Sequence, residues 1–288
     1  HNWKEIIDLE ARILSIPEAH QMIGYYSIAD KKKDTLRVCR SYQYIAIRAI
    51  VKRVSNQKWG DHDQLGGFVW CTTGGGKTMT SFIAGKLIIE RGYADKVVFL
   101  VDRKALDTQS SQAYNSFAPE GRKVVETKTT SDLFNKLVSS HDDNQMLLTS
   151  IQKISKITDE KAEKRRDELE KIKRKRIVFI IDEAHRSQFG EMHQNLKNTF
   201  YNALFIGFTG TPIFPENMRE GEKTTESVFG RCLAVYSLAT GIRDGNVLGF
   251  WPKGERTYDD DVLRKRVALD ESNSKSREEA QKDPKKWE

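Results

Sequence analysis

The strongest constraint on the fold of this chain is a glycine-rich segment, CTTGGGKT, at residues 71–78. It follows the apolar residues Phe68, Val69 and Trp70 and precedes a stretch with a helix-like pattern, so it joins a predicted strand to a predicted helix. A phosphate-binding P-loop requires this context. Its glycines allow backbone N–H groups to surround phosphate oxygens, and the helix N-terminus adds a positive dipole.

The residue types in this segment predict individual roles. Lys77 would reach the β- and γ-phosphates of a nucleotide, and the Thr78 hydroxyl would bind Mg²⁺. The remaining phosphate contacts would come from Thr73, Gly74, Gly75 and Gly76. The alternative is a glycine-rich turn with a chance lysine, and a second motif downstream argues against it.

Short apolar segments alternate with helical patterns from Phe68 onward. Strands are predicted over 68–71, 97–101, 123–126, 146–149, 177–181 and 204–209, and helices over 78–91, 106–117 and 133–139. Several of these strands are apolar throughout, which is typical of strands covered on both faces in a parallel sheet. The order therefore favours an α/β fold with a doubly wound, mostly parallel sheet.

A second motif, Asp182-Glu183-Ala184-His185, follows the apolar segment 177–181. A buried strand would deliver its two carboxylates to the edge of the sheet where ligands bind. Asp182 could hold Mg²⁺, and Glu183 could orient and deprotonate an attacking water. A P-loop and a strand-borne acidic pair together predict ATP hydrolysis, because phosphoryl transfer depends on positioning and charge neutralisation.

A third polar segment, Thr209-Gly210-Thr211-Pro212, follows the predicted strand 204–209. In isolation it would be a turn. At the same sheet edge as Glu183 and His185, its two hydroxyls could link the γ-phosphate to movement elsewhere.

Composition restricts the class of protein. The chain has 288 residues and a formal net charge of +7, which is compatible with a polyanionic partner. Its three cysteines have no metal-binding spacing, so we expect reduced thiols in a cytoplasmic protein. No apolar run is long enough to span a membrane, and no signal peptide is present. The charge run 159–175 predicts a solvated helix, with DNA contact as the weaker alternative.

The ordered motifs resemble those of the superfamily 2 helicases and translocases. They are Tyr42-Gln43 as the Q motif, 73–78 as motif I, 101–109 as motif Ia, 182–185 as motif II and 209–212 as motif III. Longer segments resemble the R (motor and restriction) subunit of type I restriction–modification enzymes. They are VDRKAL at 101–106, TSIQK at 149–153, DEAHRSQFG at 182–190, FTGTPIF at 208–214 and VFGR at 228–231.

The resemblance implies a RecA-like P-loop NTPase domain, the first of two motor domains, over residues 39–250. Residues 1–38 would be a helical linker from an upstream nuclease domain, and 251–288 a polar extension toward a second motor domain. The implied partners are ATP, Mg²⁺, double-stranded DNA and the methyltransferase (M) and specificity (S) subunits, in a bacterial or archaeal cytoplasm. Since neither the nuclease nor the second motor domain is recognisable here, this chain alone is expected neither to cut nor to translocate DNA.

The resemblance also implies roles for individual residues. Gln43 would recognise adenine, and coupling of hydrolysis to movement would involve His185, Thr209, Gly210 and Thr211. DNA phosphates would be contacted by Arg103, Lys104, Gln152 and Lys153. Gly75 stands where the family often has serine, and because glycine suits the loop we expect no change of function.

Two alternatives stay open at this point. One is another superfamily 2 motor, such as a type III restriction motor or an RNA helicase. The other is a non-catalytic scaffold in which ATP only docks domains, although the presence of Glu183 beside Lys77, Thr78 and Asp182 argues against it.

Overall fold

The core of the structure is a seven-stranded sheet in which every pair of neighbouring strands is parallel. The computed structural model describes residues 16–60, 65–101, 110–117, 124–142, 145–159, 166–182, 195–219, 221 and 223–249. Contacts divide the chain into two compact units, His1–Val247 and Leu248–Glu288, and the following concerns the first.

Nine strands are described. They are β1 (Ser27–Asp30), β2 (Thr35–Val38), β3 (Gly67–Cys71), β4 (Lys96–Val101), β5 (Val125–Glu126), β6 (Met146–Ser150), β7 (Ile177–Ile181), β8 (Ala203–Thr209) and β9 (Cys232–Tyr236). The large sheet has the order β5-β6-β4-β7-β8-β3-β9, while β1 and β2 form a separate antiparallel hairpin. Strand β8 therefore lies between the strand that precedes the P-loop and the strand that precedes Asp182.

Helices cover both faces of the sheet. They are α1 (Ile16–Tyr25), α2 (Ser41–Ser55), α3 (Lys77–Glu90), α4 (Ser110–Phe117), α5 (Thr130–Val138), α6 (Ile151–Asp159), α7 (Arg166–Arg174), α8 (Thr225–Phe229) and α9 (Leu238–Arg243), and residues 195–199 are also helical. One apolar cluster joins α2, α3 and α4 to the sheet, and a second joins α5, α6, α7 and α8 to it. Strands β4, β6 and β7 are buried along their whole length between these layers.

The predicted α/β class with a doubly wound parallel sheet is confirmed. The predicted strand 177–181 coincides with β7, and those at 68–71, 97–101, 146–149 and 204–209 differ from the observed strands by one residue. The helix predicted over 78–91 is α3, displaced by one residue. The helix predicted within the charge run 159–175 is α7. It is not solvated on all sides, because Leu169 and Ile172 are buried.

The prediction of a helical linker over residues 1–38 is wrong at 27–38, where the chain forms the β1–β2 hairpin. Its turn is the polar segment Lys31–Asp34, and Asp34 adopts a φ of 47°. Burial of Ile28 and an ion pair of 2.8 Å between Arg37 and the buried Asp30 hold the strands. These tertiary contacts override the local helical preference. Residues 1–15 of the predicted helical linker lie outside the described residues.

Strand β9 was not predicted. It is an edge strand, and its residues are mostly exposed or half-buried, so it lacks the continuous apolar pattern of the central strands. Within the part of the chain that the structure describes, no helix is long and apolar enough to cross a membrane.

The burial of the three cysteines predicts unequal reactivity toward thiol reagents. Burial raises the pKa of Cys39 to about 12 and that of Cys71 to about 11. Burial also raises the pKa of Cys232, but this residue is solvent-exposed and so can be reached by a reagent. At pH 8 a thiol with a pKa near 11 is ionised to roughly one part in a thousand. When the native protein is treated with a disulfide reagent at pH 8, we expect Cys232 to react fast and the buried Cys39 and Cys71 to react slowly. Cys232→Ser should remove that phase, and a fast phase that survived it would contradict the described burial.

Candidate nucleotide-binding site

The predicted site residues that the structure describes meet at the carboxyl edge of the sheet. Trp70 on β3 pairs with Thr209 on β8, and Ile181 on β7 pairs with Gly207 on β8. The residues that follow β3 and β7 therefore leave the sheet on either side of Thr209. This register brings motifs I, II and III to one edge, where ligands of doubly wound sheets bind.

The loop after β3 has the backbone of a phosphate cradle. Gly74 and Gly76 adopt φ values of 79° and 77°, in the left-handed region where residues other than glycine are strained. The Gly75 N–H donates to the Thr72 carbonyl over 3.1 Å and closes the turn. Helix α3 begins at Lys77, and its N-cap, Gly76, offers no side-chain cap. The cradle therefore fits the phosphates of a nucleotide, which would meet the first N–H groups of α3.

The charges of Lys77 and Asp182 both affect the pKa of the buried Cys71 thiol, in opposite directions. Burial is the main cause that raises the pKa of Cys71; the Lys77 ammonium opposes this shift and the Asp182 carboxylate adds to it. Both charges therefore lie close to the carboxyl end of β3. The described residues contain no group of three or more His, Cys, Asp or Glu side chains able to hold a metal. The donors present, the Thr78 hydroxyl and the Asp182 carboxylate, fit a Mg²⁺ that takes its other oxygen ligands from water and phosphate.

Gln43 lies directly behind the P-loop. Its amide oxygen accepts from the Arg40 N–H over 2.9 Å, and its amide nitrogen donates to the carbonyls of Gly75 and Gly76 over 3.4 and 3.5 Å. The side chain is 5% exposed, and a Cβ at Gly76 would collide with it. The structure thus places Gln43 at the nucleotide cradle, while its contact with adenine stays a prediction.

Tyr236, at the end of strand β9, which the sequence did not predict, connects helix α2 to the P-loop. Its ring stacks on that of Tyr42 with centroids 3.5 Å apart and planes 5° apart. Its carbonyl accepts from the Thr72 N–H over 3.0 Å, and its hydroxyl accepts from Asn246 over 2.7 Å. No local sequence signal pointed to Tyr236, because its role depends on the register of an edge strand.

Motif III packs directly on motif I through a residue that the motif search missed. The indole N–H of Trp70 donates to the Gly210 carbonyl over 3.1 Å. A Cβ at Gly210 would lie 3.5 Å from the Cys71 carbonyl and 3.6 Å from the Thr73 nitrogen, so this glycine sits against the P-loop backbone. The Thr209 hydroxyl is turned inward, where it accepts from the Thr211 N–H over 3.1 Å. Of the proposed coupling residues, His185 lies outside the described residues.

The structure describes two of the four proposed DNA-contacting residues. Arg103, Lys104 and the catalytic candidate Glu183 lie outside the described residues. Gln152 is exposed on α6. The Lys153 ammonium donates to the Thr127 carbonyl over 2.6 Å, so part of its donor capacity is used within the fold.

Comparison with known proteins gives the family context of this geometry. A family model described as SWI2/SNF2 ATPase matches residues 42–286. The type I restriction enzyme SauMSSORF170P endonuclease subunit of Staphylococcus aureus is 41% identical over 244 residues, which cover 85% of this chain and 25% of that protein. A putative type I restriction enzyme MpnIIP endonuclease subunit, C-terminal part, of Mycoplasma pneumoniae is 37% identical over 174 residues, which cover 59% of this chain and 82% of that protein.

A solved structure supports the fold. The helicase domain of Hef from Pyrococcus furiosus aligns with a TM-score of 0.50 and 20% identity, over 81% of this chain and 46% of that one. The chain spans about a quarter of the length of the S. aureus relative.

The contact between Gly75 and Cys71 predicts a coupled pair of substitutions. A Cβ at Gly75 would lie 2.7 Å from the Cys71 sulfur and 3.0 Å from the Thr72 carbonyl oxygen. The space at residue 75 therefore suits glycine as long as cysteine occupies position 71. We expect Gly75→Ser to lower the free energy of unfolding by about 1–3 kcal/mol through overpacking.

A double-mutant cycle with Cys71→Ala, followed by chemical denaturation, tests this explanation. Since Cys71→Ala removes the sulfur, the cost of Gly75→Ser should fall in its presence by about 1 kcal/mol. Gly74→Ala is the matched control, because its Cβ would meet nothing within 4 Å and its cost comes from the φ of 79° alone. Strictly additive costs for the 71 and 75 pair would show that the steric explanation is wrong.

Proposed function

We propose that this chain, which belongs to the SWI2/SNF2 ATPase family, is the ATP-hydrolysing part of a motor that pulls double-stranded DNA. The chain also belongs to the family of type I restriction enzyme endonuclease subunits. One observation carries the proposal. The parallel register of β7, β8 and β3 places Asp182, Thr209 and the Lys77–Thr78 pair at one edge of one sheet. A nucleotide-dependent motor needs its phosphate, metal and coupling groups together in this way.

The residues of this chain would divide the work of hydrolysis. Lys77 and the N–H groups that begin α3 would hold the β- and γ-phosphates, and Gln43, behind the loop, would select adenine. Thr78 and Asp182 would hold Mg²⁺, which supplies charge neutralisation between the phosphates when bound. Glu183 would orient the attacking water and accept its proton.

Coupling would pass through motif III. Gly210 accepts a hydrogen bond from Trp70 and lies against the Thr73 backbone, and Thr209 pairs with Trp70 in the sheet. A shift of the loop on loss of the γ-phosphate would therefore reach Gly210 both at the Thr73 backbone and through the Trp70 indole. His185, two residues after Glu183, would take part from the motif II side.

Contacts to DNA would be made to phosphates and would therefore be insensitive to base sequence and sensitive to salt. We assign them to Arg103, Lys104, Gln152 and Lys153. Because the Lys153 ammonium already donates to the Thr127 carbonyl, it would offer DNA at most two of its three N–H donors.

The complete enzyme would need more than this chain, which spans about a quarter of its S. aureus relative. A nuclease domain would cut the DNA, a second motor domain would close over ATP, and methyltransferase and specificity subunits would choose the site. These partners would place the protein in a bacterial or archaeal cytoplasm. Residues 1–38 and 251–288 would connect the motor domain of residues 39–250 to its neighbours.

Replacing Lys77 tests the phosphate site. In the complete gene product, Lys77→Ala should reduce ATP turnover at least a hundredfold, because the transferred phosphoryl group loses its cationic side-chain contact. Lys86→Ala, on the same helix but at a half-buried position two turns further on, is the matched control and should turn over ATP at the wild-type rate. Turnover by Lys77→Ala at the wild-type rate would show that the P-loop assignment is wrong.

The nucleic acid that stimulates turnover separates the restriction motor from its alternatives. We expect strong stimulation by unmodified duplex DNA carrying the recognition site, in the presence of the M and S subunits. The same duplex methylated, and single-stranded RNA, should stimulate weakly. Stimulation by RNA would favour an RNA helicase, and tight ATP binding without turnover would favour a nucleotide-gated scaffold.

A further inference from the structure

The first turn of the P-loop helix α3 is held by two side-chain hydroxyls. The Thr80 hydroxyl donates to the Gly76 carbonyl over 3.1 Å, and the Ser81 hydroxyl donates to the Thr78 carbonyl over 3.0 Å. Thr80 and Ser81 are each 3% exposed. The backbone that carries Thr78, the proposed magnesium ligand, is therefore fixed by bonds beyond the ordinary helical ones.

The Ser81 hydroxyl is also held from another element of the fold. It lies 2.8 Å from the hydroxyl of Tyr114, a buried residue on helix α4. A serine has one hydroxyl proton, and here it is donated to the Thr78 carbonyl, so the Tyr114 phenol must be the donor to Ser81. A chain of two hydrogen bonds therefore runs from Tyr114 through Ser81 to the backbone of Thr78.

The ring of Tyr114 is held independently of its hydroxyl. Its centroid lies 4.6 Å from that of Phe99 on β4 and 6.4 Å from that of Phe82 on α3. Both phenylalanines are fully buried, so the ring has a fixed place against the sheet. A phenylalanine at position 114 would keep these apolar contacts, and the hydroxyl can therefore be removed while the packing is retained.

Tyr114 is also related to Asp182, the second proposed magnesium ligand. Burial is the main cause that raises the pKa of Tyr114, and the Asp182 carboxylate adds to the shift, so this charge lies close to the phenol. The Asp182 N–H donates to the Leu100 carbonyl over 3.1 Å, and Leu100 follows Phe99 on β4. The strand on which Tyr114 packs therefore also holds the backbone of Asp182.

We propose that Tyr114 is a positioning residue for the magnesium site, acting through Ser81 to hold the first turn of α3 in place relative to Asp182. The inference rests on the proposed function, because it takes Thr78 and Asp182 as the metal ligands. Mg²⁺ tolerates little departure from octahedral geometry, so a site with ligands on two elements binds better when both are held in place beforehand. Without the Tyr114 hydroxyl, this ordering would have to occur on binding and would weaken it.

Thermodynamic linkage between metal and nucleotide provides the test. Mg²⁺ must change the affinity for a nucleotide by the factor by which the nucleotide changes the affinity for Mg²⁺. The complete gene product would be titrated with a non-hydrolysable ATP analogue, once with Mg²⁺ and once with a chelator, and the ratio of the two dissociation constants is the metal factor. Binding of Mn²⁺ in place of Mg²⁺, with the analogue present, would be followed separately by electron paramagnetic resonance.

The variants are Tyr114→Phe, Ser81→Ala and their combination. Ser116→Ala is the matched control, because Ser116 lies on the same helix as Tyr114 and its hydroxyl also donates to a carbonyl three residues earlier, that of Ala113, over 2.9 Å. The control therefore removes an equivalent serine hydrogen bond and no atom of the contact between α3 and α4.

In Tyr114→Phe we expect the dissociation constant in chelator to stay within about twofold of the wild-type value, while the metal factor falls about three- to tenfold, the worth of one hydrogen bond. Mn²⁺ should bind correspondingly more weakly. Ser81→Ala should lose at least as much, because it also removes the bond to Thr78, and the double variant should lose no more than Ser81→Ala alone. Ser116→Ala should keep the wild-type factor.

An unchanged metal factor in Tyr114→Phe and Ser81→Ala would overturn this inference and leave the proposed function intact. An equal loss of affinity in chelator, or an equal loss of the metal factor in Ser116→Ala, would also overturn it, because the contact would then merely stabilise the fold. If the wild-type protein bound the analogue equally well with and without Mg²⁺, the metal assignment of the proposed function would be wrong, and this inference with it.

Discussion

The functional geometry depends on the parallel hydrogen-bond ladder that holds β8 between β7 and β3. In a parallel sheet all carboxyl ends point to one edge, so the residues after each strand meet there whatever their distance in sequence. Register fixes which of them are opposite each other, and Trp70 beside Thr209 is the pairing from which the rest of the site follows. A slip of one residue would exchange the two faces of β7, which pack in different apolar clusters, so both clusters would have to repack and the register is costly to change.

The sequence could predict those parts of the fold that carry a local signal. Strands buried on both faces are mostly apolar, so the sequence predicts β4, β6 and β7. The P-loop is recognisable by its glycines, and the positive φ values at Gly74 and Gly76 require glycine there. Strand β9 carries no such signal because it is a largely exposed edge strand. The β1–β2 hairpin carries none because it is stabilised by contacts with α4, which is distant in sequence. Site residues divide in the same way: Lys77 and Asp182 are recognisable by motif, whereas Trp70 and Tyr236 act through neighbours that only the fold supplies.

The P-loop shows how a motif and its packing constrain each other. Gly75 has an ordinary backbone conformation, so its lack of a side chain is explained by the Cys71 sulfur beneath it rather than by φ. Burial raises the pKa of that thiol to about 11, with opposing contributions from the nearby charges of Lys77 and Asp182, so it stays neutral. A residue that looks interchangeable when the loop is read alone is therefore fixed by one at the end of the preceding strand.

The contacts around the P-loop are of two physical kinds, and the difference bears on how a motor could use them. Gln43, Tyr236 and Gly210 touch the backbone of the loop itself, so they can respond directly to the presence of phosphate. Tyr114 instead contacts the first turns of α3, at Ser81 and the Phe82 ring, and also packs on Phe99 of β4. The loop contacts can therefore respond to the nucleotide itself, whereas the contacts of Tyr114 fix the helix that follows the loop against the sheet.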